Sequence, residues 1–271
     1  MISYFRKLRQ RLLAESQLSK YLLYALGEIM LVVIGILIAL QVDNWNEERL
    51  NQERLRKYAR VLMLDLRNDI KMVQYSLFQA KRNYQKIDSL RTYFSVTETQ
   101  NLSNTDLYIL CHSITYRPFE WNRSTLEEIK ASGSLRDIEN DSLKKKIIEY
   151  EAFSYHMDED LQFDRDLAQS ANELMSQILY LNVPYFAQLR KMERDRPSDP
   201  NLELFKTPVY AASKKNDHDL NSYDKQLLNT FLNTYIEIQD RYRIRVFEEM
   251  PKIIRNANEI IRMLKDEYGS L

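Results

Sequence analysis

The chain has 271 residues and 39 acidic and 39 basic side chains, so its formal net charge is zero. This balance argues against nucleic acid as a main partner, and the single cysteine, Cys111, excludes an internal disulfide. Only 4 glycines and 6 prolines occur. Tight turns are therefore scarce, which favours an all-α fold.

Residues 1–20 carry basic side chains that predict contact with a membrane surface. Arg6, Lys7, Arg9 and Arg11 are accompanied by a single acidic residue, Glu15. The apolar residues between them predict the other face of a short amphipathic helix lying on anionic lipid. We predict that this segment is cytoplasmic.

Residues 21–42 form the most apolar stretch of the chain, YLLYALGEIMLVVIGILIALQV. As a helix this stretch is roughly 33 Å long, which matches the hydrocarbon thickness of a bilayer. A cleaved signal peptide is the alternative, but its apolar region is about 7 to 15 residues long and a small-x-small cleavage site should follow it. The pattern predicts a single transmembrane helix that is retained as a signal anchor.

One face of this predicted span carries small residues. Gly27, Leu31, Gly35 and Ala39 recur every four residues, and the small-xxx-small pair of Gly35 and Ala39 allows another helix to approach closely. Glu28 is the only acidic or basic residue of the span; contact with a partner helix and a position at the membrane interface both remain open for it. These five residues are candidates for an interface with another membrane protein or a second copy.

Two segments resemble a known family. The run GEIMLVVIGILIALQVDNWNEE, residues 27–48, and the basic segment before it resemble uncharacterised single-pass membrane proteins from Bacteroidota, which are marked by GEIxLVVIGILIALQxxNWNE. The segment TLEEIKASGSLRDIENDSLKKKIIEY, residues 125–150, resembles a second block of that family. The resemblance implies a membrane location and carries no established activity.

The orientation in the membrane is predicted from the basic residues together with this resemblance. Lys and Arg nearly balance on the two sides of the span, but long C-terminal domains are translocated largely regardless of charge. We predict a bacterial inner-membrane protein with a cytoplasmic N-terminus. Residues 43–271 would then form a periplasmic helical domain.

Beyond the span, apolar residues at a spacing near 3.6 predict three long helices. The first covers about residues 46–92 and continues the span, and the second runs from Asp141 or Ser142 to about residue 181. The third starts near residues 221–222, and Pro251 should kink it or begin a new segment. Three such stripes bury one another most simply as an elongated antiparallel helical bundle.

Local signals predict the shorter elements. Ser103 with Asp106, and Ser124 with Glu127, have the spacing of a capping box. Gly133 should end the short helix that Ser124 begins. The stretch 182–221 is rich in proline and predicts a short helix at about residues 185–192 followed by a loop, which is a candidate partner-facing edge.

The sequence gives little support for a catalytic or metal-binding site. The sequence lacks a P-loop, a Rossmann fingerprint and a nucleophile elbow. His112, His156 and His218 lie on separate predicted elements. The acidic run 149–166 lacks calcium-loop and di-iron spacing, which favours a solvated helix face over a metal site. We therefore expect no catalytic residues, cofactor or metal, and we expect Cys111 to be buried.

Two functions fit these expectations. The leading hypothesis is a membrane-anchored scaffold or adaptor that acts through protein–protein contacts of its span and its periplasmic helices. The alternative is a sensory bundle that binds a ligand and signals through a partner, because residues 1–20 are too few to form an output domain.

Overall fold

The computed structural model describes Lys7, residues 18–196 and residues 203–269. Of the predicted membrane-surface residues, Lys7 is exposed, whereas Arg6, Arg9 and Arg11 lie outside the described residues. The elements of the described ranges are all helical, as predicted. The α-helices are, in chain order, α1 (Leu18–Val96), α2 (Asn104–Cys111), α3 (Ser124–Ala131), α4 (Asp141–Ile178), α5 (Pro184–Asp195), α6 (Pro208–Lys215), α7 (Lys225–Ile244) and α8 (Met250–Tyr268).

The chain divides into two compact units, Met1–Lys57 and Tyr58–Leu271, and α1 contributes to both. In the first unit, α1 is long and apolar enough to cross a membrane, and it alone among the described helices meets this criterion. The side chains from Ile29 to Leu40 are all exposed. This exposure is the arrangement expected of an apolar helix whose solvent is lipid.

In the second unit, α1 turns one apolar stripe towards a core. The predicted stripe is confirmed, because the side chains that recur at helical spacing are buried: Leu62, Leu66, Val73, Ala80 and Ile87. Cys111 is buried as expected, and its burial raises the pKa of the thiol.

The short helices α2 and α3 show which of the predicted helix caps and stops are correct. Ser103 caps α2 as predicted, since its Oγ accepts a 3.2 Å hydrogen bond from the amide of Asp106. The capping box at Ser124 is wrong, because Ser124 is already the first residue of α3 and its hydroxyl donates to Asn122. Gly133 follows α3 with a φ of 78° and donates to the carbonyl of Lys130, which confirms it as the stop.

Tertiary contacts explain why the predicted capping box is not used. The amide of Asn122 donates to Oδ1 of Asp69 on α1 at 3.2 Å. The hydroxyl of Thr125 donates to the other nearby carboxylate of α1, that of Asp65. Two carboxylates of α1 therefore accept hydrogen bonds from residues at the start of α3. These tertiary contacts fix the start of α3 in place of a local cap.

The proline-rich stretch holds more helix than predicted. The expected short helix is α5, but the expectation of a loop after it is wrong at residues 208–215, which form α6. Thr207 caps α6 by accepting from the amide of Tyr210 at 3.1 Å, and Pro208 occupies its first turn. A Thr-Pro pair of this kind is a helix-start signal, because proline fixes a helical φ where no amide donor is needed.

The C-terminal helix is divided as the position of Pro251 predicts. Helix α7 begins at Lys225, three to four residues later than expected, and Asp224 caps it. A π-helical turn covers Arg245–Glu249, and α8 starts at Met250 with Pro251 in its first turn. The wider turn accommodates a proline that cannot donate to the preceding turn.

Helix α4 contacts both α7 and α8. Near its start, Nδ2 of Asn140 donates to Oε2 of Glu267 at 3.2 Å. One and a half turns later, Nζ of Lys146 lies 2.9 Å from Oε2 of Glu259. These contacts fix the part of α8 that faces the first half of α4.

Candidate functional site

An open cavity of about 350 Å³ lies between α1, the segment after α2, and α5. We call it the arginine cavity, because three guanidinium groups line it: Arg82, Arg190 and Arg194. The rest of the lining is polar, apart from the ring of Tyr75, and is contributed by Gln79, Asn83, Ser113, Thr115 and Glu193. A polar concave surface of this size is suited to a small, hydrophilic molecule.

Two of the three arginines are fixed by contacts within the chain. Nη2 of Arg82 donates to Oε1 of Glu193 at 2.5 Å, which joins α1 to α5. Nη1 of Arg190 donates to the hydroxyl of Tyr108 at 2.7 Å. The third, Arg194, is largely exposed and lies 3.9 Å from Oδ1 of Asp195.

Basic side chains surround Glu193, which lines the cavity. Nζ of Lys86 donates to the carbonyl of His112 at 2.6 Å and lies 3.5 Å from Oε1 of Glu193. Nε2 of His112 lies 2.6 Å from Oε2 of the same glutamate, and its Nδ1 lies 2.7 Å from the carbonyl of Tyr108. Glu193 thus faces three basic side chains: Arg82, Lys86 and His112.

These neighbours decide the charge of Glu193. Burial alone would raise the pKa of its carboxyl, but the contact with His112 and the charges of Lys86 and Arg82 lower it to about 2. Burial lowers the pKa of Lys86 and that of His112, and Glu193 opposes both shifts. With Glu193 ionised, the lining of the cavity holds three positive charges and one negative charge.

Aromatic stacking holds α5 against α2 beneath the cavity. The ring of Phe186 stacks on Tyr108 with centroids 3.6 Å apart, and Tyr108 stacks on His112 at 4.5 Å. Phe186 and Tyr108 are both fully buried. The stack therefore fixes α5, and with it Arg190 and Glu193, relative to the end of α2.

The backbone at the cavity edge has an unusual conformation. Ser113 follows the end of α2 with a φ of 56°, in the left-handed region that non-glycine residues rarely adopt. Two residues later, the carbonyl of Thr115 accepts a 2.9 Å hydrogen bond from Nδ2 of Asn83. Strained residues of this kind are concentrated at functional sites.

A second polar cluster surrounds Arg245, whose side chain is only 5% exposed. Its Nε donates to Oδ2 of Asp164 at 3.0 Å, and its Nη1 lies 3.0 Å from Oδ2 of Asp160 and 2.5 Å from Oε2 of Glu249. The hydroxyl of Tyr116 donates to the same Asp164 oxygen at 2.7 Å. Burial would lower the pKa of Arg245, but these carboxylates, Asp164 above all, raise it.

The sequence-predicted interface residues all lie on α1 in the first unit. Gly27, Glu28, Leu31, Gly35 and Ala39 are exposed. A Cβ atom added at Gly27 or Gly35 would meet nothing within 4 Å. The face is therefore open to a neighbouring helix, and its role in association stays a prediction.

Sequence reasoning missed the arginine cavity. Arg82 and Glu193 are 111 residues apart. From the apolar periodicity of its own helix, each is predicted to be an ordinary exposed charge. The interpretation of His112 as an isolated residue is incomplete, because the structure places it against Glu193. The acidic run of α4 is likewise joined by Arg245 and Glu249 from the distant π-helical turn.

Comparisons with known proteins give one match. A family model described as "Family of unknown function (DUF6090)" matches residues 28–183, which is more than half of the chain. The matched range contains the apolar part of α1 from Glu28 onwards and all of α2, α3 and α4. No curated protein and no solved structure matches the chain.

Proposed function

We propose that this chain, which belongs to the family of unknown function DUF6090, is a membrane-anchored module that binds a small anionic solute and signals through a partner protein. The observation that carries the proposal is the arginine cavity. It favours the ligand-binding alternative over a scaffold that acts through protein contacts alone. We expect binding without catalysis.

The charge of the cavity selects the class of ligand. Three guanidinium groups and one ionised carboxylate give the lining an excess of positive charge. Arg82 and Arg190 each use one terminal nitrogen in the contacts described above, and a guanidinium carries five N–H donors in all. Planar guanidinium groups bind carboxylates and phosphates through paired hydrogen bonds. A small carboxylate or phosphate compound therefore fits the site.

The anchor in this proposal is the N-terminal part of α1. Residues 21–42 span the inner membrane of a Bacteroidota bacterium, residues 1–20 are cytoplasmic, and residues 43–271 are periplasmic. The exposed apolar side chains from Ile29 to Leu40 support the span, and the resemblance of residues 27–48 supports the source and the orientation. The cavity would then be accessible to solutes of the periplasm.

The helices of the second unit would form an elongated antiparallel bundle. Contacts support this arrangement, because residues later in α4 meet earlier residues of the C-terminal helices: Asn140 with Glu267, Lys146 with Glu259, and Asp164 with Arg245. Helix α1 shows the same reversal, since Tyr84 contacts Phe247 and Arg91 bonds to Gln239. Antiparallel neighbours of this kind are typical of helical bundles.

Native mass spectrometry of the full-length protein, purified in mild detergent without added ligand, tests the binding function. We expect a co-purified small anion that is lost in the double variant Arg190→Gln/Arg194→Gln. These two arginines leave the Arg82–Glu193 contact intact. The matched control is Arg165→Gln, an exposed arginine of α4 that does not line the cavity. A bound mass that is unchanged in the double variant would contradict the proposal.

A second candidate function, that of an adaptor, is favoured by the open face of α1. Because a side chain at Gly35 meets nothing within the chain, Gly35→Leu should leave the monomer unstrained and weaken only contacts with another helix. Glu28→Leu should have the same effect if the carboxylate contacts that helix. Val33→Leu, on the opposite face, is the control. Association measured by crosslinking in native membranes would contradict the adaptor if Gly35→Leu and Glu28→Leu both matched the wild type.

A further inference from the structure

We infer that His156, Asp160 and Glu249 form a binding site for a divalent transition-metal ion of the zinc type. We call these residues the 156–160–249 triad. They share no residue with the lining of the arginine cavity. The site is therefore independent of the proposed anion-binding function.

The geometry of the triad fits a tetrahedral ion. Nε2 of His156 lies 3.2 Å from Oδ2 of Asp160 and 3.5 Å from Oε1 of Glu249. All three potential ligand atoms lie within 4.8 Å of one another. Metal–ligand bonds of about 2.0–2.2 Å at tetrahedral angles separate neighbouring ligand atoms by roughly 3.3–3.6 Å. An ion placed between the three atoms thus needs only small side-chain adjustments.

The net negative charge around the triad also favours the binding of a cation. Arg245 is one positive charge beside three carboxylates, those of Asp160, Asp164 and Glu249. These four side chains together carry an excess of two negative charges, which a divalent ion balances. Buried carboxylates without such compensation are costly.

One buried oxygen atom in this cluster, Oδ1 of Asp164, accepts no hydrogen bond from the described residues, and the Asp164 side chain is only 2% exposed. Oδ2 of Asp160, a member of the triad, is also buried and lies 3.0 Å from Nη1 of Arg245 and 3.2 Å from Nε2 of His156. Asp164 lies one helical turn beyond Asp160, and both contact Arg245. Buried acceptors normally have a partner. A cation bound at the neighbouring Asp160 adds a positive charge among the three carboxylates that share Arg245.

The fold holds the triad in place from two elements. His156 and Asp160 are four residues apart on α4, so they lie on one face of the helix. Glu249 ends the π-helical turn, and Arg245 binds its Oε2, which leaves Oε1 to face His156. A charged group that orients a metal-binding carboxylate in this way is a regular feature of metal sites.

The residue types define the class of metal. One imidazole nitrogen and two carboxylate oxygens suit Zn²⁺ and neighbouring transition ions better than Ca²⁺ or Mg²⁺, which prefer sets made only of oxygen. His156 is half exposed, with 50% of its side chain accessible. Solvent therefore reaches the triad, and water can complete the coordination as the fourth ligand.

Zinc titration of the full-length protein tests the site. The protein is purified in detergent, freed of metal with a chelator, and titrated with ZnCl₂ while bound zinc and the unfolding temperature are measured. We expect one ion per chain and a rise in the unfolding temperature. His156→Ala should weaken zinc binding roughly tenfold or more. Its half-exposed side chain makes this change compatible with folding.

A matched histidine and a spectroscopic probe keep the test specific. His218 is exposed and its ring contacts that of Tyr180 at 4.7 Å, away from the triad residues, so His218→Ala should bind zinc as the wild type does. Co²⁺ in place of Zn²⁺ should give the visible absorption of a tetrahedral site in the wild type and lose it in His156→Ala. The inference is overturned if wild type and His156→Ala bind equal zinc, or if the wild type binds none.

Discussion

The hydroxyl of Tyr150 donates a 2.8 Å hydrogen bond to Oδ2 of Asp69, which joins α4 to α1 in the interior of the second unit. Asp69 is only 5% exposed, and Asp65 lies one turn before it on the same helix. Burial raises the pKa of Asp69, and the charge of Asp65 adds to the shift, although the hydrogen bonds from Tyr150 and Asn122 oppose it. The carboxyl therefore keeps its proton to a higher pH in the folded state than in the unfolded chain.

This shift predicts how stability depends on pH. Because the folded state binds the proton more tightly, Asp69 makes the free energy of unfolding fall as pH rises from its ordinary pKa of 3.8 through the raised value. Asp69→Asn removes this dependence. The variant should gain stability relative to the wild type as pH rises from 3.8 through the raised value, as measured by denaturant unfolding in detergent. Asp88→Asn, exposed on the same helix, is the matched control for the change of charge. A difference between wild type and Asp69→Asn that is constant over pH would contradict the assignment.

The stop of α3 at Gly133 predicts an order of stability among substitutions. Gly133 has a φ of 78°, which an L side chain adopts only with strain. Gly133→Ala should cost about 1 kcal/mol in the free energy of unfolding. Gly133→Asn should cost less, because asparagine tolerates the left-handed region. Equal stability of the three proteins in denaturant titrations would show that the turn relaxes to another conformation.

Arg245 is expected to be among the most sensitive residues of the second unit. Its replacement by leucine leaves Asp160, Asp164 and Glu249 without their shared cation. Breaking a buried ion pair from one side typically costs about 3–5 kcal/mol. Arg243→Leu, two residues earlier and more than half exposed, should change the unfolding free energy by less than about 1 kcal/mol. Similar losses in the two variants would argue against a buried cluster.

Local signals in the sequence predict several elements because the interactions that form them are local. The apolar stretch of α1, the cap at Ser103, the stop at Gly133 and the break before Pro251 each depend on residues within one or two helical turns. The same reasoning fails at Ser124. There, two carboxylates of α1, 53 and 60 residues earlier in the chain than their donors, accept hydrogen bonds from the amide of Asn122 and the hydroxyl of Thr125.

The candidate sites depend on contacts between distant parts of the chain. Glu193 meets Arg82 across 111 residues, and Glu249 meets His156 only because the C-terminal helices pack on α4. A charged residue on an amphipathic helix has the same sequence signature whether it faces water or such a partner. The arginine cavity therefore becomes visible only in three dimensions.

The binding of an anion in the arginine cavity is tested most directly by the unfolding temperature of the full-length protein in detergent. Inorganic phosphate, glucose 6-phosphate, succinate and citrate are compared with glucose and sodium chloride at constant ionic strength. We predict that at least one of these anions raises the unfolding temperature of the wild type and of Arg165→Gln, and that the rise is lost in Arg190→Gln/Arg194→Gln. A wild type stabilised by none of the anions beyond the chloride control, or a double variant stabilised equally, would contradict the proposed function.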